Sequence, residues 1–206
     1  MGVNFVALMG HNLDEEELYT LPMLLNSTWS QAQQFLPILE GLPAPGSAPD
    51  EWRWHNTGNI SLADELKRVG RITMDSPDCF IGHVGMRSLD IYHLARWWSF
   101  LTDEPVRRKL QGACRHIAVT LGSARIAYIP DSSYKPELAR ELINEGKTID
   151  EIVEWLRANC GPPAADIGLI LRQGRRAGTV MATMSKCFVN RLQEEVSPDS
   201  ARTRAA

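Results

Sequence analysis

The chain is expected to fold as one α+β domain, a small mixed sheet of three or four strands packed by several amphipathic helices. Three observations lead there. Apolar residues recur at helical spacing in separate windows: Leu94, Trp97, Trp98 and Leu101; Val106, Leu110, Ala113, Cys114, Ile117 and Leu121; Ile149, Ile152, Val153 and Leu156. Short β-prone runs lie between such windows, at residues 3–9, 79–84 and 124–129. The 206 residues are 44% apolar and 23% charged, enough to bury a core with no metal or disulfide staple.

The same totals exclude several classes. A net charge of −3 gives no general attraction to nucleic acid or to an anionic membrane surface. No apolar run approaches the roughly 18 residues of a membrane span. The four cysteines, at 79, 114, 160 and 187, form no CxxC pair, and residues 1–6 show neither a signal-peptide nor a myristoylation pattern. Reduced thiols in a cytoplasmic protein are the expectation.

Taken in order, residues 3–9 predict a buried strand bounded by Gly10. Asp14 and the three glutamates after it suit the positive end of a helix that Pro22 must bend or interrupt. A second helix is expected over 28–39. The proline- and glycine-rich residues 41–50 form a loop. Trp52-Arg-Trp-His55 alternates as a short strand, and a helix should span 61–69. A strand at 79–84 follows. From Ile91 the helical stripe suggests helix directly, then a second helix begun by Thr102-Asp-Glu-Pro105 and ended by Gly122. After the strand at 124–129, Pro136 opens a helix that Gly146 closes. Thr148-Ile-Asp-Glu151 is a capping box for another, which Gly161-Pro-Pro163 stops. Residues 167–171 fit a final strand or a helical turn. From Arg172 onward seven basic residues face three acidic ones, while residues 1–171 carry fifteen and twenty-two. The domain is therefore placed at residues 1–165, and 166–206 reads as a basic C-terminal extension, disordered after about residue 190.

No phosphate-binding, nucleophile-elbow, zinc or calcium motif is present, so any catalysis would rest on scattered residues and no cofactor or metal is assigned. The best constellation comes from strand ends. His11 follows the first strand, His83 lies in the 79–84 run, and Asp131 and Ser132 follow residues 124–129. Groups just beyond strands that end together converge, and imidazole, carboxylate and hydroxyl are the parts of a nucleophile with its base and orienter. Ordinary turn chemistry also explains Asp131-Ser132-Ser133. His93 and His116, on apolar stripes, fit structural roles better than ligation. Six tryptophans are the compositional excess. Trp52 and Trp54, in phase beside the proline loop, are the candidates for an exposed binding surface.

Ile129-Pro-Asp-Ser-Ser-Tyr-Lys-Pro136 and Gly146-Lys-Thr-Ile-Asp-Glu-Ile-Val-Glu-Trp-Leu-Arg-Ala-Asn-Cys-Gly-Pro-Pro163 together resemble a block of small uncharacterised bacterial proteins. The resemblance implies a bacterial origin and a distinctive surface at Tyr128, Asp131, Ser132, Tyr134 and Lys135. It carries no activity, cofactor or catalytic residue.

Two functions follow as expectations. The first is a non-enzymatic, partner-binding protein, immunity-like or regulatory, binding another protein through Trp52, Trp54, Tyr128, Tyr134 and Lys135. The alternative is a hydrolase or metal-dependent enzyme built on His11, His83, Asp131 and Ser132.

Overall fold

Strand β1, Asn4–Gly10, is the first described element and lies inside the sheet, paired along both edges. A computed structural model describes residues 3–29, 54–57, 72–75, 80–132, 134–176, 183 and 186–192. The remaining strands are β2 (His55–Asn56), β3 (Ile72–Asp75), β4 (Phe80–Val84), β5 (Ser88–Arg96), β6 (Arg125–Pro130) and β7 (Phe188–Arg191), in the order β2-β3-β4-β5-β1-β6-β7. Every neighbouring pair is antiparallel. The sheet is thus larger than the three or four strands expected, and it is antiparallel rather than mixed.

Three strands were not foreseen: β3, in a stretch to which the sequence assigned no element, and two in segments read otherwise. Residues 88–96 form the long strand β5, and helix α3 (Trp97–Thr102) begins only at Trp97. Leu94, whose spacing suggested helix, is an exposed residue near the strand end. Beyond residue 165, where the domain was expected to end, lie a helix and strand β7, and β7 pairs with β6.

The helices obey their local signals more closely. Asp14 caps α1 (Glu15–Tyr19): its carboxylate accepts from the Glu17 N–H, and the Glu17 carboxylate accepts from the Asp14 N–H, both at 2.9 Å. The chain breaks at Thr20, and α2 (Leu21–Trp29) carries Pro22 in its first turn, where no amide proton is needed. Asp103, not Thr102, caps α4 (Glu104–Thr120). Helix α5 (Lys135–Asn144) contains Pro136 in its first turn, and the Thr148/Glu151 capping box starts α6 (Ile149–Cys160). Helix α7 (Ile167–Arg176) buries Ile170. The expected helix at 61–69, most of that at 28–39 and the chain after residue 192 lie outside the described residues. Among the described residues, no helix is long and apolar enough to cross a membrane.

Alternation along the strands sorts side chains onto two covered faces. Phe5, Met9, Phe80, Ile91 and Tyr128 look toward α1–α4 and α7, where Phe5, Phe100 and Tyr128 form a ring cluster with centroids 4.9–5.7 Å apart. Val6, Leu8, Ala127 and Ile129 look the other way, against Ala139 and Ile143 of α5 and Ile152 and Leu156 of α6. The β4–β5 turn is pressed close to α5. A Cβ on Gly85 would lie 2.3 Å from the Ile143 carbonyl oxygen, so only glycine fits there.

Candidate functional site

The face under α5 carries one buried charge. Successive cross-strand partners place His83 opposite Asp90, Asp90 opposite Leu8, Leu8 opposite Ala127, and Ala127 opposite Val189. Asp90 therefore stands where this row passes from polar to apolar side chains, and it is only 1% exposed. A carboxylate in that position needs partners, and it has two. His83 Nδ1 lies 3.1 Å from Asp90 Oδ2, and Arg140 Nε, reaching down from α5, lies 3.2 Å from the same oxygen. Asp90 Oδ1 is buried without a hydrogen bond. A carboxylate only accepts, so His83 donates through its Nδ1–H, which leaves Nε2 outside this pair. The His83 side chain is partly open to solvent, at 16%.

Asp131 joins this group from the end of β6. Its N–H donates to the Asn4 carbonyl at 2.9 Å, which fixes the turn. Its carboxyl is half-buried, and burial holds it above the usual carboxylate range. Glu137 and, less strongly, Asp90 push the same way, and Arg140 opposes them. Farther along the same face Asn4 donates its amide to the Tyr92 hydroxyl and accepts from Arg96 Nη1 at 2.7 Å. The result is a polar strip beside the first turns of α5, running from His83 through Asp90 and Arg140 to Tyr92 and Arg96. Among the described residues, no three His, Cys, Asp or Glu side chains are grouped to hold a metal ion.

His11 is not part of it. Strands β1 and β6 run antiparallel, with Phe5 opposite Pro130 and Met9 opposite Ile126. Asp131 consequently leaves the sheet beside Asn4, and His11 leaves it at the other end, roughly 20 Å away at about 3.3 Å per residue. The convergence of groups beyond strand ends holds for parallel strands, which this sheet lacks. His11 instead fastens the β4–β5 turn: its Nε2–H donates to the Gly85 carbonyl at 2.9 Å. Its Nδ1 is buried without a partner, and burial lowers the imidazole pKa below its ordinary value. Ser132 holds the turn after β6, its N–H donating to the Pro130 carbonyl at 2.9 Å and its carbonyl accepting from the Lys135 N–H at 3.3 Å.

The residues expected to form a binding surface do not lie together: two of the four described ones are interior. Trp54 is 1% exposed and stacks near Phe80, and its backbone exchanges hydrogen bonds with the Asn26 side chain. Trp52 lies outside the described residues. Tyr128 is fully buried on the opposite face of the sheet from Asp90. Of the group, Tyr134 is 79% exposed, in a left-handed backbone conformation (φ 58°), and Lys135 is half-buried.

Sequence reasoning missed Asp90 and Arg140. The signal for Asp90 was an acid inside the apolar run Leu89-Asp-Ile-Tyr92, legible once that run is read as a strand buried on both faces. No family model matches the chain, and no curated protein and no solved structure matches it either.

Proposed function

We propose that the protein is an acid–base catalyst of hydrolytic type, with His83 as the base and Asp90 as the residue that positions it. One observation carries this reading: the 3.1 Å contact between His83 Nδ1 and a carboxylate that is almost wholly buried. Such a carboxylate fixes the tautomer and the ring orientation. It also stabilises the imidazolium formed when Nε2 takes a proton from a nucleophile. Asp131, whose carboxyl binds its proton more tightly than usual, suits the complementary task of donating one to a leaving group. Arg140 shares Asp90 and keeps the buried charge neutralised.

The test is a screen of the purified chain against chromogenic esters, phosphoesters, amides and glycosides, followed by the His83→Gln and Asp90→Asn variants. Turnover that both variants lose while keeping native circular dichroism supports the reading. Failure to turn over any class, or turnover untouched by His83→Gln, sinks it.

The partner-binding reading, immunity-like or regulatory, keeps one supporting observation. Tyr134 and Leu138 lie one turn apart at the start of α5, 79% and 41% exposed. That reading expects Tyr134→Ser with Leu138→Ser to abolish binding of a protein partner. It would be abandoned if such a partner bound the double variant unchanged.

A further inference from the structure

Cys160 and Cys187 are twenty-seven positions apart in sequence, yet both pack into the same apolar cluster on the α5–α6 side of the sheet. Cys160 is the last residue of α6. Four residues on, the Ala164 N–H donates to the Cys187 carbonyl at 2.9 Å, and Ala164 bridges Phe188. The segment after α6 is thereby held against the start of β7. Alternation along β7 then fixes the direction of the side chains. Phe188 packs with the ring cluster on one face, while Cys187 and Val189 belong to the apolar cluster on the other, against which Cys160 also packs.

We infer that Cys160 and Cys187 are a redox pair that closes a disulfide when the protein meets a hydroperoxide oxidant, locking β7 and α7 onto the end of α6. The reaction balances as a two-electron oxidation. The Cys160 thiolate attacks the peroxide oxygen and releases water as a sulfenic acid forms. The Cys187 sulfur then attacks the Cys160 sulfur and expels a second water, so two thiols and one hydrogen peroxide give one disulfide and two waters.

The order of attack follows from exposure. Cys160 is half-buried and reachable, whereas Cys187 is 2% exposed. Burial pushes both thiols up, Cys187 to about 11, and the neighbouring Cys160 adds to that rise. Lys135 works the other way on both, favouring their thiolates. The pair therefore behaves as a slow clamp closed by proximity rather than as a fast peroxide sensor. Cys114 is unsuited to either role, being fully buried within α4 with its pKa far above the ordinary thiol range.

The test uses the folded, full-length chain treated with hydrogen peroxide, quenched by alkylation and digested without reductant. A peptide joining Cys160 to Cys187, lighter by two hydrogens than its parts, is expected. The oxidised protein should melt roughly 5–10 °C higher than the reduced one, a rise reversed by dithiothreitol. Cys160→Ser, made at the half-exposed position so that folding is preserved, should abolish both the cross-link and the rise. The inference is overturned if all four thiols stay alkylatable at doses that leave the chain folded. It is equally overturned if the cross-link joins other cysteines, or if Cys160→Ser melts higher on oxidation just as the wild type does.

Discussion

His83 Nδ1 lies 3.1 Å from Oδ2 of Asp90, and the same oxygen holds Arg140 Nε at 3.2 Å. The three side chains come from β4, β5 and α5, so one carboxylate ties a helix to two strands. The partners are not equivalent. Arg140 is 21% exposed and can rehydrate when freed, whereas Asp90, at 1%, cannot. Arg140→Met should therefore cost about 3 kcal/mol in urea unfolding, because it leaves a buried carboxylate with His83 alone. Asp90→Asn should cost less, about 1–2 kcal/mol. The opposite ranking would mean that Asp90 is better solvated than its burial indicates.

Asp131 gives a prediction of the opposite sign. Its folded carboxyl holds its proton more tightly than a free aspartate does, through burial first and then Glu137. The favourable contribution is complete below the unfolded value and is lost as pH rises through the folded one, so at neutral pH the ionised group is a small cost. Asp131→Asn should slightly raise the unfolding midpoint at pH 7 and lose that advantage near pH 4. A variant less stable than wild type at pH 7 would contradict this. If Asp131 is the proton donor, the same substitution also lowers turnover, a loss of activity alongside a gain in stability.

His11 governs a different pH window. Burial lowers its imidazole pKa, with the Gly85 carbonyl opposing more weakly. The fold therefore favours the neutral ring, and stability falls as pH drops from about 6.5 through the lowered folded value. His11→Gln should flatten that part of the profile when denaturation midpoints are compared between pH 5 and 7.5. An unchanged slope would remove His11 from the acid limb.

Glycines separate packing from conformation. At Gly85 the obstacle is the Ile143 backbone, 2.3 Å from where a Cβ would stand, and backbone cannot rotate away. At Gly161 nothing lies within 4 Å, and only the φ of +78° opposes a side chain. Gly85→Ala should cost several kcal/mol, and Gly161→Ala about 1 kcal/mol. Equal costs in chemical denaturation would show that the β4–β5 turn can shift away from α5.

Much of the fold was written locally. The Thr148/Glu151 box, the acids after Asp14, and the prolines at 22, 105 and 136 each describe the chain's own next turn, and the helices start where they indicate. The strand periods at 3–9, 79–84 and 124–129 survive within a residue or so. What local pattern cannot carry is pairing direction and partnership. Placing His11 beside Asp131 required parallel strands, and nothing near either residue states how β1 and β6 run. Strand β5 looked helical because Leu94 happens to precede Trp97, Trp98 and Leu101 at the right spacing, and that reading hid Asp90. Arg140 lies fifty residues from the carboxylate it neutralises, so only the assembled sheet brings the two together.

The interior position of β1 has a consequence for how the chain is made. Strand β1 has β5 and β6 as its neighbours, both later in the chain, and the second of these ends at Pro130. Until the ribosome has released that residue, the apolar run of β1 has at least one edge with no partner. Strands β3, β4 and β5 meanwhile can zip together as neighbours in sequence. Closure of the sheet around β1 is thus a late, long-range event, and such pairings are slow. A nascent or truncated chain ending before Arg125 would present a sticky strand edge to its neighbours, and a translating cell would be expected to shield it with chaperones.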